Sequence, residues 1–348
     1  MTPLSQPPST YCLTIGDPTG IGPEITARLL HELALTPEHH QNNPFKLIVL
    51  GDILQLNETA CQYGLELPRQ RNHQLTVEYV HVEGNGPGAT AYLALEKAVK
   101  CIRDGQASAL VTGPISKENL RSVGIPFEGH TEILQYLTNL YFKSADSASP
   151  WQSEMLFVYR QFRMLLLTRH VALKDVSTSL DISSVSNTLQ RAIRFLRQYE
   201  RIETPRLCVL GVNPHAGEIN GHEERDILMP AISTVSKQEN VDIDPPCAAD
   251  ALFREFNVDH PGYDLFVSPY HDQGLIPMKL LAGFRAVNVT IGLPFIRTSV
   301  SHGMAMDIVG QGKANPLSLL EALNVAQSYS CPISSPHIET TAAFYPVI

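Results

Sequence analysis

The chemistry available to this 348-residue chain is concentrated in its 13 histidines, three of which stand apart by position. His170 follows a strand-like run. His215 sits in the strand-end turn Val212-Asn-Pro-His-Ala-Gly-Glu218, and His271 follows the apolar run Asp264-Leu-Phe-Val-Ser-Pro269. Each alone reads as readily as a hydrogen-bonded turn residue. Together they compose a three-imidazole site, which leaves a divalent cation open positions for substrate and, the ligands being neutral, its full charge for polarising an oxygen. Asp272 and Glu218, one residue from His271 and three from His215, either orient imidazoles or are solvated loop residues. His31, His39, His40, His73, His81, His260 and His337 lie among polar or loop residues and read as exposed.

Such residues need a frame. Tyr270-His-Asp-Gln-Gly-Leu-Ile-Pro-Met-Lys279 reads as a strand end carrying polar groups, a turn at Gly274 and an apolar helix ending in Lys279. It puts polar groups at a strand's C-terminal edge, where open α/β sheets bind ligands. Before it, strand patterns at 11–15, 46–50, 74–82 and 108–112 alternate with helical patterns at 25–35, 89–103 and 133–141. Runs at 155–159 and 162–168 predict a hairpin with Arg169-His170 at its far end. Helices are expected at 183–199, 220–235 and 315–327, and strands at 207–211 and 286–290. Repeated βα units give an α/β architecture with a largely parallel sheet, and the hairpin adds antiparallel strands.

Composition narrows the class. With 43% hydrophobic and 18% charged residues the chain is that of a globular protein, and no run approaches the roughly 20 apolar residues of a membrane helix. Residues 1–10 lack a charged leader and an apolar core and read as a disordered lead-in, which fits a cytoplasmic enzyme. Cys12, Cys61, Cys101, Cys208, Cys247 and Cys331 show no paired spacing, so a disulfide framework or thiolate zinc site is not expected. A net charge of −9 argues against nucleic-acid binding and leaves room for a local basic pocket.

Five motifs, in order over nearly the whole chain, carry a resemblance. They are Gly16-Asp-Pro-Thr-Gly-Ile-Gly-Pro-Glu-Ile25, Gly129-His-Thr-Glu132, Asn213-Pro-His-Ala-Gly-Glu218, Tyr270 to Lys279, and Val287-Asn-Val-Thr-Ile-Gly-Leu-Pro-Phe-Ile-Arg-Thr-Ser299. The set resembles the 4-hydroxythreonine-4-phosphate dehydrogenase family. The resemblance implies an isocitrate/isopropylmalate-dehydrogenase-like fold of two α/β domains with a cleft between them: residues 11–130 plus 300–348 on the cofactor side, and 131–299 on the metal and dimer side. It also implies a homodimer with its site at the subunit interface, NAD or NADP as hydride acceptor, a divalent metal (zinc, magnesium or cobalt), and a place in pyridoxal 5'-phosphate synthesis.

Carried over by position, His170, His215 and His271 match the family's metal ligands, which it shares between subunits; His170 and His215 would reach the ion of His271 from elsewhere, the partner subunit. His130, Thr131, Lys279, Asn288 and Arg297 match its substrate contacts. A phosphorylated hydroxy-amino acid needs cationic or N–H donors at its phosphate and carboxylate, which agrees. Other readings stay open: Arg297 as a surface cation, Asn288 as a turn former, Lys279 as a solvated helix residue, Thr131 as a helix N-cap. The expected reaction is oxidation of the substrate hydroxyl followed by decarboxylation to 3-amino-2-oxopropyl phosphate, with Lys279 as proton shuttle and Asp250 and Asp272 as competitors. No Gly-x-Gly-x-x-Gly fingerprint is present, so the resemblance places the dinucleotide on loops around Gly303, Gly310, Gly312 and Asn315. Ser301 and Met304 depart from the family's acid and hydroxyl in Ser299-Val-Ser-His-Gly-Met-Ala305. If that acid orients His302, cofactor affinity falls; if it is a turn residue, little changes. A dehydrogenase of threonate or erythronate 4-phosphate is the rival within the class. A hydrolytic or merely ligand-binding metal protein is the rival outside it.

Overall fold

The computed structural model describes residues 9–35, 44–68, 75–142 and 150–330. Lead-in residues 1–8, residues 143–149 of the polar insert that spans 143–152, Cys331, and His39, His40, His73 and His337 lie outside these. Within them runs one mixed sheet of eleven strands: β1 Ser9–Thr14, β2 Phe45–Gly51, β3 Leu75–His81, β4 Ala109–Thr112, β5 Glu154–Tyr159, β6 Phe162–Leu166, β7 Arg206–Leu210, β8 Asp242–Cys247, β9 Leu265–Ser268, β10 Val287–Ile291 and β11 Ile296–Ser299. Their order is β3-β2-β1-β4-β11-β10-β5-β6-β9-β7-β8. Ser9 and Thr10, expected in the lead-in, begin β1, because they pair with Phe45 and Lys46.

The α/β expectation holds, with helices packed on a sheet that is parallel at both ends. β1, β2, β3, β4 and β11 are mutually parallel, as are β6, β7, β8 and β9. Between them β10 is antiparallel to both β11 and β5, and β5 to β6, so the two parallel sets run in opposite directions. The buried apolar runs of β1, β4, β7 and β9 are what strands covered on both faces require. β8 escaped the sequence reading because it contains Pro245 and Pro246. It is an edge strand, where a missing N–H is tolerated. β11 escaped because Arg297, Thr298 and Ser299 leave it no apolar run.

The stretch at 270–279 is corrected. There is no turn at Gly274: a single helix runs His271–Ala282, through Gly274 and Pro277. Gly274 is needed for close packing instead. A Cβ there would lie 2.9 Å from Met164 Cγ and 3.0 Å from Leu166 Cδ2 and Ser268 Cβ, so its absence lets the helix lie directly on β6 and β9. His271 is therefore the first residue of a helix, and Lys279 lies two turns further along the same rigid element.

Candidate functional site

Two groups of side chains stand out, one at each parallel set. In the first, Thr14, Thr112, Ser299 and Asn288 are in register across β1, β4, β11 and β10 and form a polar row near the strand ends. Arg297, two residues before Ser299, is on the same face and only 1% exposed, which excludes a surface cation. Its Nε and Nη2 donate to Thr112 Oγ1 at 3.2 and 2.7 Å, and Nη1 donates to Thr290 Oγ1 at 3.0 Å. A guanidinium has five N–H donors, so two remain. No carboxylate of the described residues lies within ion-pair distance, and burial pulls its pKa down to about 9, with the charge of Glu132 opposing.

The helix His130–Tyr141 brings its first turn to this cation. His130 hydrogen-bonds the backbone of Gly113, and burial and then Arg297 hold its pKa well below the usual histidine value, so the ring is neutral. Its Nε2 is buried and unpartnered, as are Asn288 Oδ1 and Thr14 Oγ1. Native interiors rarely leave such atoms unsatisfied, and several on the strands around this cation make it a candidate ligand site. Thr131 is buried, and its carbonyl accepts from Ser153 Oγ at 3.3 Å. It is not the N-cap: the helix starts one residue earlier and Gly129 holds that position.

The second group lies where β6, β9 and β7, adjacent and parallel, each lead into a histidine-bearing segment. His170 and His271 have ring centroids 5.9 Å apart within one chain, so His170 reaches His271 without a partner subunit. Burial, then Lys117 and His271, lower the pKa of His170, with Glu132 opposing. His271 Nδ1 lies 2.7 Å from Asp272 Oδ1, which fixes the ring and leaves Nε2 free. His215 is exposed and is not gathered with them: among the described residues no three His, Cys, Asp or Glu side chains are close enough to hold a metal ion.

The loop that carries His215 is nevertheless built. His215 and Ala216 have φ of 54° and 52°, an uncommon conformation for residues with side chains. Glu224, buried, accepts from Asn213 N at 2.7 Å and Nδ2 at 2.9 Å; Glu223 accepts from Asn213 Nδ2 at 2.7 Å. Ser177 and Asn213 pull Glu223 down to about 2. Glu218 has only a backbone bond to His215, at 3.3 Å, and Glu223 and Glu224 hold the loop through Asn213, without touching the His215 ring. Gln273 ties the segments together, donating to Gly211 O at 2.7 Å and accepting from Ser268 Oγ at 2.8 Å.

The remaining candidates are dispersed. Lys279 is exposed, and its charge helps burial to lower the pKa of His302. Asp250 is exposed on the short helix Ala249–Leu252. Gly303, Gly310, Gly312 and Asn315 line the turn 301–315, with Gly310 and Gly312 at φ of 76° and 69°. Glu24 and Arg28 clamp this turn: Glu24 Oε1 accepts from Ala314 N at 3.0 Å, and Arg28 Nη2 donates to Gly312 O at 2.6 Å. At the departures from the motif, Ser301 N donates to Ser318 Oγ at 3.4 Å, and His302 Nδ1 lies 2.9 Å from Gly303 O. The Met304 side chain covers Gly20, where a Cβ would be 2.5 Å from its Cε.

Sequence reasoning missed Thr112, Thr290, Glu132, Glu223, Glu224 and Gln273. The signal available for the threonines was a hydroxyl at the end of a fully apolar strand, as in Leu110-Val-Thr112.

With this geometry in place, comparison with known proteins is informative. Residues 45–326 match the model of the family described as "Pyridoxal phosphate biosynthetic protein PdxA". A 4-hydroxythreonine-4-phosphate dehydrogenase of Methylorubrum populi is 38% identical over 90% of this chain and 93% of its own. The crystal structure of the Klebsiella pneumoniae 4-hydroxythreonine-4-phosphate dehydrogenase superposes with a TM-score of 0.75 at 29% identity, covering 93% of this chain and all of that one. A terephthalate 1,2-cis-dihydrodiol dehydrogenase from Burkholderia xenovorans gives 0.59 at 26% identity over 92% of this chain and 98% of its own. On the extent of the family match and the identity over nine-tenths of its length, the chain belongs to the pyridoxal phosphate biosynthetic protein PdxA family.

Proposed function

We propose that this protein oxidises 4-phosphooxy-L-threonine with NAD or NADP, with decarboxylation to 3-amino-2-oxopropyl phosphate, in the cytoplasmic synthesis of pyridoxal 5'-phosphate. One observation carries the reading: a fully buried Arg297 with two spare N–H donors and no carboxylate partner among the described residues. A buried cation without a counter-ion is costly unless an anion arrives, and a bidentate phosphate or carboxylate fits the two free donors. Thr131 and Asn288 complete that pocket, and Lys279, Asp250 and Asp272 are the candidates for moving the hydroxyl proton.

A divalent cation fits the histidine edge. His170 is held neutral, and His271 presents Nε2 with its other nitrogen fixed by Asp272. These two would hold the ion, with His215 as the third ligand contributed across a subunit interface. When bound, the cation lowers the pKa of the substrate hydroxyl and stabilises negative charge that develops on oxygen. The clamped turn bearing Gly303, Gly310, Gly312 and Asn315 is the proposed dinucleotide site, in the half formed by 11–130 and 300–348; residues 131–299 form the metal half.

An exposed apolar stripe supports a homodimer. Ile276, Leu280 and Phe284, four residues apart, are 66%, 83% and 61% exposed. A patch of this kind on a soluble enzyme marks an interface. Among the described residues no helix is long and apolar enough to cross a membrane.

The test is absorbance at 340 nm with the phosphorylated amino acid, NAD and added divalent metal. The expected result is metal-dependent growth that disappears in His215→Ala. Absence of signal in the wild type would favour hydrolysis or simple ligand binding, and faster turnover of threonate or erythronate 4-phosphate would reassign the substrate.

A further inference from the structure

Glu132 is the acidic side chain that the metal and anion groups share. It occupies the third position of the helix His130–Tyr141, directly after His130 and Thr131, and its charge acts on both Arg297 and His170. A glutamate at that position commonly reaches back to bond the N–H of the N-cap residue. Here the carboxylate does lie over Gly129, with Oε2 3.6 Å from where a Cβ on that glycine would be, yet it makes no hydrogen bond or ion pair with any described residue. The neighbouring acids are already engaged: Glu128 pairs with Arg121, and Asp272 with His271. A half-buried carboxylate with no protein partner among the described residues, in the helix turn that also carries His130, has its acceptor sites available to a cationic group of a ligand.

The proposed substrate supplies one. Its anionic groups suit the two spare donors of Arg297, its hydroxyl suits the histidine edge, and its ammonium is left without a partner among these groups. We infer that Glu132 binds the substrate's α-ammonium and makes the enzyme select a phosphorylated amino acid over the corresponding hydroxy acid. This rests on the substrate reading given above. A hydroxyl in place of the ammonium loses the charge-assisted bond while keeping both anionic ends.

The experiment is titration calorimetry on the full chain with magnesium present, comparing 4-phosphooxy-L-threonine, threonate 4-phosphate and inorganic phosphate. Glu132→Gln keeps the shape and removes the charge. It should raise Kd for the amino acid about 10- to 100-fold, the range for a hydrogen bond to a charged group, and change Kd for the other two less than about threefold. Glu132→Asp, which keeps the charge on a shorter arm, should fall between. A uniform change for all three ligands would mean that Glu132 is only a distant counter-charge to Arg297, and no change for the amino acid would sink the assignment as well. Failure of the wild type to reduce NAD would refute the proposed reaction, while the ratio of Kd values would still decide the role of Glu132.

Discussion

The anion pocket and the histidine edge lie on the same sheet and are built in contrasting ways. In the pocket the working groups are strand residues and the first turn of a long helix. They are buried, in register and fixed by Thr112 and Thr290, and what is unsatisfied is a set of polar atoms. At the edge they sit just past strand ends, two of the three on loops. They are more exposed, and the backbone at His215 is in an uncommon conformation. The difference teaches that the buried polar groups around Arg297 are pre-organised within one chain. At the histidine edge His170 and His271 come together and His215 stands apart, so the proposed metal site would gain its third imidazole from a loop movement or another subunit.

The sharpest way to break this contrast is to remove the cation. Arg297→Met should weaken substrate binding by about 10² to 10³-fold, as loss of one partner of a buried charge pair does. Thermal unfolding should leave Tm unchanged or raise it, because the cation has no carboxylate in the described fold to lose. A fall of several degrees would show that Arg297 is structural and that the pocket is not waiting for an anion.

Gly274→Ala probes the other region. A Cβ at 2.9–3.0 Å from Met164, Leu166 and Ser268 must push the helix His271–Ala282 off β6 and β9. The cost should be about 1–3 kcal/mol in denaturant unfolding, with metal-dependent activity reduced because His271 starts that helix. Inorganic phosphate affinity, read by calorimetry, should stay within about twofold; a parallel loss would mean that the two regions are mechanically one.

The smallest effect sharpens the picture of His130. Its pKa is depressed in the fold, so below the unfolded value near 6.5 the unfolded chain takes up a proton that the folded chain does not, and stability falls as pH drops. His130→Gln should remove about 1 kcal/mol of that fall between pH 6.5 and 5.5. Unfolding curves of the two proteins that stay parallel over this range would mean that the ring titrates normally and is not held neutral beside Arg297.

Much of the fold was legible. Apolar runs of four to seven residues separated by helical spacing specify βα units, and the strands β1, β2, β4, β7, β9 and β10 appear within a residue or two of where that periodicity puts them. The hairpin β5–β6 was equally plain from two runs separated by Arg160 and Gln161. Less legible was the region at Gly274. In sequence a glycine after a polar cluster means a turn, whereas here it means a helix packed against two strands, and the partners of that contact are over 100 residues away or on another strand.

The amino-acid sequence by itself determined the element types, the α/β class and the motif set that places the chain in its family, because these depend on local spacing and residue identity. Tertiary structure alone decided that Arg297 is buried with spare donors, that His170 meets His271, that Glu223 and Glu224 rather than Glu218 hold the His215 loop, and that Glu132 has no partner among the described residues. Burial and partnering are properties of contacts between distant segments. Local periodicity carries no information about which buried charge is left without a partner, and that is what points to the ligand.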